Sequence, residues 1–96
     1  MIEDVNNFIK VLKNNISFDN VYALIETGSS INNLNTKNSD YDIRIIVNDY
    51  KLIHSEIETL IKTYKTISLK DEENYSEYKF YFDGIPVHLI FYPIFR

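Results

Sequence analysis

Apolar residues recur along the chain with two different periods, and the longer period predicts two helices. Near the N-terminus the spacing is three or four residues, as on one face of an amphipathic helix, and Asn14 and Asn15 mark its end. The same spacing returns between residues 50 and 64, after Asn48 and Asp49, which are typical of a helix start. The apolar positions are Ile2, Val5, Ile9, Leu12 and Ile16 in the first helix, and Tyr50, Ile53, Ile57, Leu60, Ile61 and Tyr64 in the second.

Shorter apolar or alternating segments predict five strands. Residues 21–25 form an apolar run, and residues 43–47 form a second run that only Arg44 interrupts. Residues 66–70 and 75–82 alternate, the polar residues 71–74 predict a loop, and residues 85–92 follow Asp83-Gly84, a strong hairpin signal. This order predicts one α+β domain over residues 1–96, in which a small mixed β-sheet is backed by two main helices.

The composition of the chain argues against extended nucleic acid and membranes as partners. The chain has 96 residues, an apolar fraction of 45% and a net charge of −4, so we expect one domain without the basic stripe that extended nucleic acid requires. The chain has no cysteine, which favours a cytoplasmic protein without disulfides. No apolar run approaches the ~18 residues of a membrane span, so we expect no membrane partner.

The candidate chemistry lies between the first two predicted strands. Gly28, Ser29 and Ser30 follow the first strand, and Asp40 and Asp42 begin the second. A glycine allows close approach of the backbone to a ligand, and the two serines offer hydroxyl and N–H groups to a phosphate. Because strand side chains alternate, Asp40, Asp42 and Arg44 share one face, with the two carboxylates about 7 Å apart at Cβ. That spacing suits Mg²⁺, which prefers carboxylate and phosphate oxygens.

Gly-Ser, ten residues and Asp-x-Asp before a β-branched run resemble the nucleotidyltransferase superfamily that includes DNA polymerase β, and its small bacterial and phage members in particular. The resemblance implies the minimal nucleotidyltransferase fold, with Gly28 and Ser29 at the phosphates of ATP or another nucleoside triphosphate. It also implies that Asp40 and Asp42 hold Mg²⁺ or Mn²⁺. Arg44 has two interpretations: it contacts the nucleotide's phosphate, or it neutralises the two aspartates.

The sequence departs from that family at three positions. Ser30 stands where arginine is frequent, and Asn33 where glycine is frequent. Active relatives carry a third carboxylate on a later strand, where this chain has His88. His88 is a poorer magnesium ligand than a carboxylate, but it can accept a proton near pH 7; a structural strand histidine is the other interpretation.

Three other residues carry groups of the same chemical types. Glu26 and Asp83 are alternative third carboxylates, although Asp83 also suits a turn. His54 falls on the polar side of the second helix, where we expect it to face solvent.

Two functions from different classes follow from the resemblance. Similar stand-alone domains pair with a helical toxin and transfer AMP to its tyrosine, which implies AMPylation of a partner protein that supplies the acceptor. The alternative is a catalytically degenerate domain that binds a nucleotide or a protein, for example as an inhibitor in phage–host conflict. A tRNA or aminoglycoside nucleotidyltransferase is a third interpretation, which the missing acceptor domain and basic surface disfavour.

Overall fold

The structure is a computed structural model that describes residues 2–27 and 41–94, with side chains described for residues 7–26 and 41–94. Helix α1 spans Ile2–Asn15 and is followed by a 3₁₀ turn at Phe18–Asn20 and by strand β1 at Val21–Thr27. Strand β2 spans Tyr41–Val47, and helix α2 spans Tyr50–Ile61. Strands β3 (Lys65–Glu72), β4 (Tyr75–Phe82) and β5 (Ile85–Pro93) complete the order that the sequence predicted.

Helix α2 begins where the sequence predicted and ends earlier. The Asp49 carboxylate caps it by accepting a hydrogen bond from the backbone N–H of Leu52 at 3.1 Å. The prediction that the helix continues to Tyr64 was wrong, because its end tightens into three-residue hydrogen bonds. Tyr64 instead stacks on Phe80, with 5.5 Å between the ring centroids.

The five strands form one mixed sheet in the order β1-β2-β5-β4-β3. Its centre is the parallel pair of β2 and β5, and the other three pairs are antiparallel. The last strand of the chain therefore lies between β2 and β4 rather than at an edge. This insertion brings β5 beside the strand that carries the predicted site.

Strand β3 is longer than predicted and forms an edge of the sheet. Asp71 and Glu72 belong to it, paired with Ser76 and Tyr75, so the predicted loop at residues 71–74 was partly wrong. Only Glu73 and Asn74 form the turn, because the backbone of β3 is paired with β4 up to residue 72. Every residue of β3 is exposed, in keeping with its place at the edge.

Both helices pack on one face of the sheet, which we call the helix-side face. Alternate residues of β2 and β4 are buried there with the apolar residues of α1 and α2 in one core. Phe8 of α1 contacts Phe80 and Phe82, with ring centroids 5.5 and 5.0 Å away. The opposite face, which we call the open face, carries the other set of alternating residues: Asp42 and Arg44 on β2, Glu77 and Lys79 on β4, and His88 on β5.

Candidate active site

The open face brings Asp42 and His88 together. Parallel pairing of β2 with β5 places the two residues directly opposite each other. His88 Nδ1 lies 3.7 Å from Asp42 Oδ1, and both side chains are about one third exposed (30% and 35%). The imidazole thus lies on the strand beside Asp42, at the end of β2 where the sequence predicted the metal-binding pair.

Glu77 holds the other side of the His88 ring. Its Oε1 lies 2.9 Å from His88 Nε2, and its Oε2 accepts a hydrogen bond from the Tyr75 hydroxyl. The Tyr75 ring stacks on Tyr92, with planes 5° apart. In the neutral imidazole, a proton on Nε2 that donates to Glu77 leaves Nδ1 as the acceptor nitrogen, on the side of Asp42.

Hydrogen bonds at this site perturb the pKa of Glu77. The hydrogen bond from Tyr75 and then the one from His88 lower the pKa of Glu77 from its ordinary value of 4.5. Glu77 is therefore ionised at neutral pH and remains an acceptor for His88. A carboxylate that holds an imidazole in one orientation is an arrangement suited to proton transfer.

Two cationic residues flank these groups. Lys79 is the cross-strand neighbour of His88 in the antiparallel pair of β4 and β5. Arg44 lies two residues beyond Asp42 on β2 and is exposed. Positive side chains near a carboxylate and an imidazole suit a ligand that carries both phosphate and a hydroxyl group.

The predicted site residues fall into two groups, those that the sheet brings together and those outside the described residues. Alternation along β2 is confirmed and puts Asp42 and Arg44 on one face, and the sheet brings His88 to them. The predictions that rest on Gly28, Ser29, Ser30 and Asp40, and on Asn33, lie outside the described residues.

The two alternative third carboxylates do not fit the site. Glu26 pairs with the buried Ile43, which places it on the helix-side face. There, burial raises the pKa of the Tyr41 phenol, and the negative charge of Glu26 raises it further. Asp83 has a φ of 51° in the turn between β4 and β5, so its interpretation as a turn residue is confirmed.

Sequence reasoning missed Glu77 and Lys79. Alternation along residues 75–82 does separate Tyr75, Glu77, Lys79 and Tyr81 from the buried residues of that strand. The pattern does not indicate which strand lies beside β4 in the sheet. Only the position of β5 between β2 and β4 brings Glu77 and Lys79 to His88.

Of the two aspartates predicted to hold a metal ion, Asp42 lies among the described residues. Asp42 presents a partly exposed carboxylate on the open face, as Mg²⁺ and Mn²⁺ prefer.

Comparison with known proteins agrees with this geometry. The family model described as nucleotidyltransferase domain matches residues 5–96, which is nearly the whole chain. A search of curated proteins finds no significant match. Across the part of the chain that the structure describes, neither helix combines the length and apolar character needed to cross a bilayer.

Proposed function

The chain belongs to the nucleotidyltransferase domain family, and from this membership we propose that it transfers AMP from ATP to a hydroxyl group of a partner protein. In this proposal the domain acts as an antitoxin that AMPylates a tyrosine of its toxin. Family membership supports nucleotidyl transfer from a nucleoside triphosphate. The choice of ATP, of a protein acceptor and of the antitoxin role is our proposal.

The observation that carries the proposal is the pairing of Asp42 with His88. His88 Nε2 lies 2.9 Å from Glu77 Oε1, and its Nδ1 lies 3.7 Å from Asp42 Oδ1. Glu77 therefore orients the ring so that its other nitrogen lies beside Asp42. This arrangement supports a working proton acceptor in place of the family's third acid.

Each residue then has a definite role. Asp42, with Asp40, would hold Mg²⁺ or Mn²⁺, and a bound divalent cation neutralises phosphate charge and lowers the pKa of a coordinated hydroxyl. Gly28, Ser29 and Ser30 bind the triphosphate, and Arg44 and Lys79 attract it electrostatically. His88 accepts the proton of the acceptor hydroxyl as its oxygen bonds to the α-phosphorus and the bond to pyrophosphate breaks.

The test follows the α-phosphate. Purified protein is incubated with ATP labelled at the α or at the γ position, with Mn²⁺ or Mg²⁺ and with extracts or candidate partners. We expect protein-bound label from α-labelled ATP alone, because nucleotidyl transfer keeps the α-phosphate and releases the γ-phosphate. Asp42→Asn should lower labelling by at least about 100-fold, a loss of roughly 3 kcal/mol of transition-state stabilisation.

A matched variant controls for the loss of one carboxylate. Asp83→Asn makes the same chemical change in an exposed turn where asparagine tolerates a positive φ, so labelling should persist. Equal labelling by the wild type and by Asp42→Asn would contradict the proposal. Label transferred from the γ position would indicate a kinase-type reaction instead.

The presence of His88 where relatives have a carboxylate also favours a second candidate, a nucleotide- or protein-binding module. Calorimetric titration with a non-hydrolysable ATP analogue separates the two. Binding that requires a divalent ion and is lost in Asp42→Ala supports the enzyme. Absence of binding with or without the ion supports a module that recognises protein.

A further inference from the structure

We propose that His54, Glu58 and Asp71 form a binding site for a divalent transition metal such as Zn²⁺, separate from the candidate active site. One ligand atom from each of the three residues lies within 4.8 Å of the other two. His54 and Glu58 are four residues apart on α2, so they project from the same side of the helix. Asp71 comes from β3, and the site would therefore join a helix to the edge of the sheet.

The position of His54 corrects the prediction that it faces solvent. Its side chain is only 23% exposed, because its ring packs against Tyr50, Tyr78 and Phe91. Its Nε2 lies 2.9 and 3.0 Å from the two carboxylate oxygens of Asp71. The polar face of a helical pattern does not reveal this contact, since the partner comes from β3, seventeen residues along the chain.

This cluster lies on the helix-side face, away from Asp42 and His88. Asp71 pairs with the fully buried Ser76, and His54 contacts the core ring of Phe91. His88 occupies the same strand as Phe91 but projects to the open face. The sheet itself separates the two sites, so the cluster cannot be a part of the nucleotidyl-transfer site.

Asp71 is held in place by buried polar groups. Ser76 Oγ donates to Asp71 Oδ1 at 2.8 Å, and the Tyr50 hydroxyl lies 2.6 Å from Ser76 Oγ. Ser76 is fully buried, and among the described residues it is the buried residue with a polar side chain. Hydrogen bonds of this kind orient ligating carboxylates in metal sites. The aromatic rings around His54 restrict its orientation in the same way.

Small movements would complete the coordination. With metal–ligand bonds of about 2.0–2.2 Å in a tetrahedron, ligand atoms lie about 3.4 Å apart. His54 Nε2 and Asp71 Oδ1 are 2.9 Å apart, so they need to separate by a few tenths of an ångström to reach that distance. Glu58 is exposed, and a rotamer change would bring its carboxylate closer. One imidazole and two carboxylates leave the fourth position to water, and the imidazole favours Zn²⁺ over Mg²⁺.

A cation can reach the cluster from solvent through an open cleft. An open cleft of about 360 Å³ borders the cluster and is lined by Tyr50, Lys51, His54, Asp71, Glu72 and Glu73. Three of these residues are acidic and one is a lysine. The structure pairs Asp71 with His54 and Ser76 rather than with that lysine. The carboxylates therefore keep lone pairs that a metal ion can use.

The experiment measures Zn²⁺ binding to the metal-free full chain by calorimetry, in an Asp42→Asn, His88→Gln background so that the open face offers neither that carboxylate nor an imidazole. We expect one Zn²⁺ per chain and a visible Co²⁺ spectrum of tetrahedral type. Glu58→Gln and His54→Gln should each weaken binding by about tenfold or more. Glu58 is exposed, so Glu58→Gln should fold normally. His54 packs against aromatic rings, so circular dichroism is used to check that His54→Gln folds.

Glu73→Gln is the matched control, because it removes one charge from the same cleft without removing a ligand. Its affinity for Zn²⁺ should equal that of the background protein. Absence of saturable Zn²⁺ binding would overturn the proposal, as would equal weakening by Glu58→Gln and Glu73→Gln. Because the readout involves no nucleotide, this test can succeed or fail independently of the proposed AMP transfer.

Discussion

At the residue scale, the ionisation of Glu77 depends on two neighbours from different elements. Tyr75 is on its own strand, and His88 is on β5. Both contacts favour the carboxylate, and they lower its pKa below 4.5 in the folded chain. The unfolded chain therefore binds more protons than the folded chain between 4.5 and that lowered pKa.

From this difference we expect a stabilisation that is fully present above about pH 4.5 and is lost as the pH falls through the lowered pKa of Glu77. Glu77→Gln should flatten this part of the pH profile and lower the free energy of unfolding at pH 7 by about 1 kcal/mol. Urea unfolding between pH 7 and pH 3 measures both effects. The exposed Glu73→Gln should keep the wild-type profile, and a Glu77→Gln profile identical to the wild type would contradict the assignment.

At the scale of single elements, the turn between β4 and β5 sets the register that brings Glu77 to His88. Asp83 and Gly84 have φ values of 51° and 81°, both in the left-handed region that a two-residue hairpin turn requires. A Cβ atom added at Gly84 would meet nothing within 4 Å. The constraint on this residue is therefore conformational rather than steric.

Gly84→Ala should lower the free energy of unfolding by about 1–2 kcal/mol, because alanine resists the left-handed conformation. Thermal or urea unfolding measures the change. Asp83→Asn, one residue earlier, should be close to neutral since asparagine tolerates a positive φ. A Gly84→Ala protein as stable as the wild type would show that the turn relaxes to another type.

At the scale of the whole molecule, stability depends on the one core that the two helices share with the sheet. Phe80 is fully buried between Phe8 of α1 and Tyr64, which lies between α2 and β3, with ring centroids 5.5 Å away in both cases. A domain of this size has about 5–15 kcal/mol of stability. Loss of one such ring therefore removes a large share of the free energy of unfolding.

Phe80→Ala should cost about 3–5 kcal/mol and lower the melting temperature by more than about 12 °C. Calorimetry or thermal circular dichroism measures both. Tyr81→Ala is the comparison, because Tyr81 is the next residue of β4 and is 39% exposed on the open face. It should cost about 1 kcal/mol or less. Equal losses for the two variants would contradict the assignment of the faces.

Features that depend on residues close together in the chain could be predicted from the amino-acid sequence. Apolar spacing located both helices, alternation put Asp42 and Arg44 on one face, and Asp83-Gly84 located the hairpin turn. Side-chain direction has a fixed period within a helix or strand, so a local pattern is enough to reveal it. The resemblance around Gly28 and Asp42 likewise led to the family that the whole chain matches.

The identity of neighbouring strands, in contrast, depends on how the chain folds in three dimensions. Strand β5 lies parallel to β2 and antiparallel to β4, so His88 contacts Asp42 and Glu77. Contact of α2 with β3 similarly leaves the His54 side chain only 23% exposed and places it against Asp71. No local period encodes such pairs, because the free energy that selects a neighbouring strand comes from burying residues distant in the chain against one another.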